Sequence, residues 1–185
     1  MPVNMKNIIA DTFAKMVEKE NVDKITVKAL ISECHISRQT FYYHFQDIMD
    51  VLEWSIRQAT QHLVEKSLEA GDDMRSALKI FIAFSVDNYP RIRKLMESQR
   101  RKQIEQIMIE AAEAYLSELA QKRRPDLALN YADREVLLRF NASGLVGILL
   151  IYCREKQLDQ EKLAGQLELL LSGQLTFFER RAGIS

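Results

Sequence analysis

The sequence predicts an all-α protein of about nine helices, because apolar residues recur at three- and four-residue intervals along nearly its whole length. Two further observations agree. Only three prolines and six glycines occur in 185 residues, too few breakers for a loop-rich β protein. Hydrophobic residues make up 47%, enough for a core and too many for a disordered chain.

The elements follow in order. An opening amphipathic helix carries Ile8, Ile9, Phe13, Met16 and Val17. Thr26 is a good N-cap for a second helix from Val27 to about Glu33, with Val27, Leu30 and Ile31 facing inward. Cys34 and His35 fall where that helix ends, and Ile36 plugs the turn. Ser37 is a second N-cap, and a third helix runs through Arg38, Gln39, Thr40, Phe41, Tyr42, Tyr43, His44 and Phe45. Phe41 and Phe45, four apart, share one face. A fourth helix is expected from Asp47 to about Glu69, with Leu52, Ile56, Ala59 and Leu63 along one side, broken at Gly71 and Asp72. A fifth runs from Asp73 to Val86 and ends near Asn88, and Pro90 suits the first turn of a short sixth. The seventh covers 100–124, bounded by Pro125; the eighth covers Asp133–Lys156, and the ninth runs from Asp159 to about Arg180.

The second and third helices, short and joined by a tight turn, have the layout of a helix-turn-helix, whose second helix enters the DNA major groove. The residue types suit the task. Arg and Gln make paired hydrogen bonds to base edges, and Thr contacts a thymine methyl. Tyr, Ser and helix N-termini suit phosphate oxygens. The bland reading is a helical hairpin in an ordinary α-protein with solvated Arg, Gln and Tyr, and periodicity alone leaves both open.

Residues Asn4–Trp54 resemble the N-terminal domain of the TetR/AcrR family of bacterial transcription regulators. The likeness rests on the opening amphipathic helix, then ITVKALISECHISRQTFYYHF, then DIMDVLEW, with TFYYHF the most specific run. Within the family, FYYHFQDIMDVLEW looks most like a Gram-positive branch that includes regulators of dihydroxyacetone kinase operons. The resemblance implies a helix-turn-helix domain over 1–46 and a helical ligand-sensing and dimerisation domain over 47–185. It implies sequence-specific binding of a double-stranded DNA operator by a homodimer, controlled by a small-molecule effector or partner. The residues expected at DNA are Thr26, Lys28, Ser37, Arg38, Gln39, Thr40, Tyr42, Tyr43 and His44. In one departure, many members carry a Lys, three residues after the closing Phe, that binds a phosphate; here Ile48 stands there. On that alignment, Ile48→Lys would add a phosphate contact.

Gly144 and Gly147, with Ala142 and Ser143 beside them, put small residues on neighbouring turns of the eighth helix. A helical Gly costs roughly 1 kcal/mol against Ala, so two imply a close packing partner, inside one subunit or between two. TetR-like proteins pair their last two helices with a second copy, which favours the dimer and makes Leu167, Leu170, Leu171, Leu175 and Phe178 its apolar stripe. The family also implies a ligand cavity among helices four to eight. Candidate lining residues are Phe81, Phe84, Tyr89, Met108, Tyr115 and Phe140, with Met74, Met96 and Ile107, although each of these types equally builds plain core.

Composition bounds the rest. Formal net charge is zero, and residues 1–57 hold seven Lys or Arg against eight Asp or Glu, so a DNA surface needs its cations sorted onto one face. Lys24, Lys28 and Arg38 are the members expected there. No nucleophile elbow, glycine-rich phosphate loop or His-Glu zinc helix occurs, and Cys34 beside His35 lacks further ligands nearby. Accordingly, no enzyme activity, cofactor or metal is expected. There is no charged-then-apolar leader, and Cys34 and Cys153 form no disulfide framework, so a reducing cytoplasm is expected. The richest apolar stretch, Phe140–Cys153, is short for a bilayer, and no membrane partner is expected. A helical protein-interaction module that does not bind DNA is the alternative.

Overall fold

The computed structural model describes residues 4–123, 129–154 and 158–175. Among these residues all regular structure is helical: α1 Met5–Lys19, a 3-10 turn Val22–Lys24, α2 Val27–Glu33, α3 Arg38–His44, α4 Ile48–Glu69, α5 Met74–Met96, α6 Arg101–Arg123, α7 Tyr131–Tyr152 and α8 Gln160–Leu171. The α-helices number eight because the expected fifth and sixth are one. Pro90 lies inside α5, where it forfeits a single helical N–H; the helix continues through Leu95, which is buried. The last helix is also shorter than expected. It stops at Leu171, and Gly173 takes the left-handed conformation (φ 67°) that ends helices.

Local chemistry sets the helix starts. The Thr26, Ser37, Asp47, Asp73, Asn130 and Asp159 side chains each accept a backbone N–H from the first turn they precede. Such caps satisfy donors that the helix itself leaves open, at about 1 kcal/mol each. Arg123 performs the converse at the end of α4, donating to the carbonyls of Ser67 at 2.9 Å, Gly71 at 2.5 Å and Asp73 at 3.4 Å.

Two hydrophobic clusters form the interior. The first joins Ile9, Phe13 and Val17 of α1 with Leu30, Phe41 and Phe45 of the helix-turn-helix. It also takes Ile48, Met49, Val51 and Leu52 from the start of α4, and Leu95, Ile104 and Ile107 from α5 and α6. The second holds Leu63 and Val64 of α4 against Leu78, Ile82, Tyr115, Leu119, Leu145, Leu149, Leu163 and Leu167. At its centre the Tyr115 ring stacks on Phe81 at 5.0 Å, while its hydroxyl bonds Ser67 at 2.9 Å and donates to the Ala77 carbonyl at 3.1 Å. Burial pushes that phenol above its ordinary range.

A polar clasp ties α1 and the 3-10 turn to the end of α5. Arg91 Nε donates to Glu18 at 2.7 Å, and the Lys94 ammonium donates to the Glu18 carbonyl. Asp23 accepts from the Ser98 hydroxyl at 2.6 Å and from the Gln99 N–H at 2.8 Å. Asn21 donates to the Glu97 carbonyl at 3.4 Å. The helix-turn-helix is thus held by α5 and α6 as well as by the chain connection through α4.

Ile48 sits in the first cluster, 8% exposed, and does not present its side chain to a backbone phosphate. The expected gain of a phosphate contact in Ile48→Lys would therefore come at the expense of this packing. Ile48→Lys removes apolar burial and forces an ammonium outward, so it is expected to destabilise by roughly 1–3 kcal/mol, read in urea unfolding. Equal or greater stability in the variant would contradict the packing of α4.

The clasp is pH-dependent. The Ser98 hydroxyl and then the Gln99 N–H hold the Asp23 carboxyl below its ordinary 3.8. A depressed folded value contributes stability above the unfolded value and loses it as pH falls through the folded one. Melting temperatures of the wild type and Asp23→Ala are therefore expected to differ at neutral pH and to converge well below 3.8. A constant difference at all pH values would contradict the carboxylate's role.

Candidate nucleic-acid interface

The interface begins with the turn. The Cys34 N–H donates to the Leu30 carbonyl at 2.9 Å, closing α2, and His35 then adopts φ 54°. That left-handed residue reverses the chain, so the Ile36 N–H reaches the Ile31 carbonyl at 3.1 Å. Ser37 opens α3, accepting the Thr40 N–H at 3.0 Å.

Two aromatic anchors fix the rotation of α3. Phe41 is 0% exposed and Phe45 2%. Their rings lie 6.1 Å apart, and Phe45 meets Trp54 edge-on at 5.8 Å. With those two buried, Arg38, Gln39, Tyr42 and Tyr43 face solvent, and Tyr43 is 84% exposed. Thr40 and His44 are half-buried at the edge of this face. The Arg38 guanidinium lies over the Tyr42 ring at 5.8 Å, and His44 meets Tyr43 edge-on at 4.9 Å. Thr26 and Lys28 are exposed at the start of α2. Lys24, Lys28 and Arg38 form no ion pair among the described residues, so their charges are available to an outside anion.

Thr26 Oγ1 accepts the Ala29 N–H at 3.1 Å, and Ser37 Oγ lies 2.7 Å from Thr40 Oγ1 while accepting the Thr40 N–H. Thr26 and Ser37 thus spend acceptor capacity on capping, which leaves the Thr26 proton free to donate, while one hydroxyl proton is used between Ser37 and Thr40.

The cavity also differs from expectation. About 480 Å³ opens between α1 and helices α4–α6, walled by Ala10, Asp11, Phe13, Ala14 and Val17 on the α1 side. Sequence reasoning placed it among helices four to eight and missed α1, although Ala10 and Ala14 at helical spacing leave room beside that helix. Phe81, Phe84, Met108 and Tyr115 line it. Tyr89 packs half-buried on the second cluster, Met96 on the first, and Met74 is exposed. Phe140 is 76% exposed on the outer side of α7, away from the cavity, because Ala142, Leu145 and Leu149 occupy the inner side.

That outer side carries Val136, Leu137, Phe140, Gly144, Gly147 and Ile151 at helical spacing, and all but Gly147 are exposed. A Cβ built on Gly144 or Gly147 meets nothing within 4 Å, so neither glycine serves packing within the subunit. Leu167, expected on the same surface, is 2% exposed in the second cluster. The half-buried Leu171 packs against that cluster too. The helix turns Leu170, one of the expected stripe residues, outward together with Leu169, because its period places Leu163, Ala164 and Leu167 on the inner face. Phe178 lies outside the described residues. By length and composition α7 is apolar enough to cross a membrane. It is fastened laterally to α6 by Arg139–Glu113 at 2.6 Å and Arg134–Ser117 at 2.9 Å.

No protein-family profile matches the chain. A sequence relative is the activator DhaS of the dhaKLM operon in Lactococcus lactis subsp. lactis (strain IL1403), 23% identical over 179 residues, covering 94% of this chain and 92% of the relative. A solved dihydroxyacetone kinase operon activator DhaS superposes with a TM-score of 0.65 at 22% identity, covering 96% of this chain and 99% of its own. The fatty acid degradation regulator FadR of Bacillus halodurans gives 0.58 at 16%, covering 94% and 97%. The TetR family repressor AlkX of Dietzia sp. strain DQ12-45-1b gives 0.58 at 15%, covering 94% and 96%. The chain has the fold of the TetR-type transcription regulators, carries a helix-turn-helix at its start, and is similar along nearly its whole length to a dihydroxyacetone kinase operon activator.

Proposed function

We propose that this chain is a sequence-specific DNA-binding transcription regulator that acts as a homodimer. The observation that carries the reading is the presentation of Arg38, Gln39, Tyr42 and Tyr43 on a helix whose other face is locked by Phe41 and Phe45. Such a helix fits a major groove, which is wide enough for an α-helix and presents a distinct pattern for each base pair. Two copies would place two such helices on paired half-sites, so a change in their separation alters affinity. The apolar outer side of α7, with Leu169 and Leu170 of α8, is the surface we assign to the second copy. A gel-shift with the DNA upstream of this gene, and with DNA upstream of a dihydroxyacetone kinase operon, tests the reading. Absence of any shift at low salt would favour the protein-interaction alternative.

Gln39→Ala is expected to relax base preference and cost about 1–3 kcal/mol of operator affinity. Tyr42→Phe is expected to weaken binding across all sequences alike, if the hydroxyl meets a phosphate. Footprints and affinities unchanged by both substitutions, in folded protein, would remove α3 from the interface.

Gly144→Leu separates the two packing explanations. Nothing within the subunit opposes the new side chain, so the monomer's fold should persist. Between subunits, overpacking costs about 1–3 kcal/mol or more where backbones touch. Sedimentation is expected to show the dimer weakened by an order of magnitude or more, and a wild type that is monomeric at high concentration would refute the dimer.

A further inference from the structure

The geometry points to the cavity between α1 and helices α4–α6 as a binding site for an organic cation, an amine on an aliphatic or aromatic body, that touches the helix-turn-helix domain directly. Its volume of about 480 Å³ falls in the range of small-molecule sites. The walls are mostly apolar and carry five aromatic rings, those of Phe13, Trp54, Phe81, Phe84 and Tyr115. Aromatic faces attract cations, more strongly where water is excluded.

The polar lining is rich in acceptors. Ser55, Thr60 and Ser85 all donate their hydroxyl protons to carbonyls of their own helices, at 2.7, 2.9 and 2.8 Å. Only their lone pairs remain for an occupant. Asn88 donates to the Phe84 carbonyl at 2.8 Å, and its amide oxygen accepts from Arg91 at 3.2 Å. Arg91, the one cation among the lining residues, is neutralised by Glu18. The Asp11 carboxylate is different. Among the described residues it has neither an ion pair nor a hydrogen bond, and it sits on the lining at the mouth. With Arg91 compensated and Asp11 not, the formal charge left on the lining is negative. Asn7 and Gln58 add rim amides of either polarity.

The location gives the occupant a lever. Ala10, Asp11, Ala14 and Val17 recur along one face of α1, opposite Phe84, Asn88 and Leu95 of α5. An amine paired to Asp11 with its body among the aromatics bridges the two domains beside the Glu18–Arg91 clasp. An effect of that bridge on DNA binding rests on the regulator reading; the site itself does not.

The test uses the full chain and matched eight-carbon probes: n-octylamine, n-octanoate and n-octanol. Trp54 is the chain's single tryptophan and lines the cavity, so its emission reports occupancy without DNA. Octylamine is expected to change that emission saturably, with an affinity at least ten-fold above octanoate. Asp11→Asn, at an exposed position, should fold normally and bring octylamine down to the octanol level. Ala59→Phe, which fills the cavity, should abolish the response. Amide hydrogen exchange in α1 should slow when octylamine binds. Equal binding of octanoate and octylamine, no effect of Asp11→Asn, or protection confined to α5 and α6 would each overturn the proposal. Failure to bind any DNA would count against the regulator reading alone.

Discussion

Burial of Phe41 and Phe45 is the constraint on which the rest depends. A seven-residue helix such as α3 is far too short to persist alone in water, since isolated helices below about 12–15 residues are marginal. Its existence comes from two rings packed among Ile9, Phe13, Leu30 and the first turns of α4. Fully burying such rings contributes about 1.5–3 kcal/mol each. The same burial sets which side chains look outward, because positions four apart share a face and the remainder cannot. Stability and display are therefore one property of this helix.

The first cluster also shows why the helix-turn-helix is not a freely hinged module. It draws on Leu95, Ile104 and Ile107, and the Glu18–Arg91 and Asp23–Ser98 contacts fasten its flank to the same region. α5 touches α1 directly, without passing through α4. The packing joins the helix-turn-helix to the rest of the chain in two ways, one covalent and apolar through α4, the other polar across the surface.

Much of this was legible in the sequence, where short-range chemistry dominates. Thr26 and Ser37 cap as their residue types demand, and the Phe41–Phe45 spacing separates buried from exposed faces. Legibility failed where distant contacts decide. Pro90 reads as a break, yet α5 passes through it because Leu95 and the Arg91 pair secure the far side. Phe140 reads as lining and Leu167 as surface; the rotation of α7 and α8 about their axes, set by packing against α5 and α6, puts Phe140 outside and Leu167 inside. Ile48, aligned with a position where many family members carry Lys, packs in the first cluster, a burial that the alignment alone does not encode. The role of α1 in the cavity depends on the angle between helices, which periodicity does not encode.

Arg123 gives α4 a particular mechanical character. Its guanidinium holds the Ser67 carbonyl in the last turn of that helix and the Gly71 carbonyl just beyond it, while the other end is embedded through Ile48, Met49, Val51 and Leu52. A helix normally loosens first at its termini, where backbone groups lack helical partners. Here both termini are gripped by other parts of the chain. The 22-residue α4 is therefore held at each end and poorly able to absorb displacement by fraying. A helix held in this way is expected to carry a displacement from its Arg123 end to its Ile48 end rather than dissipate it, across a span of roughly 33 Å at 1.5 Å per residue.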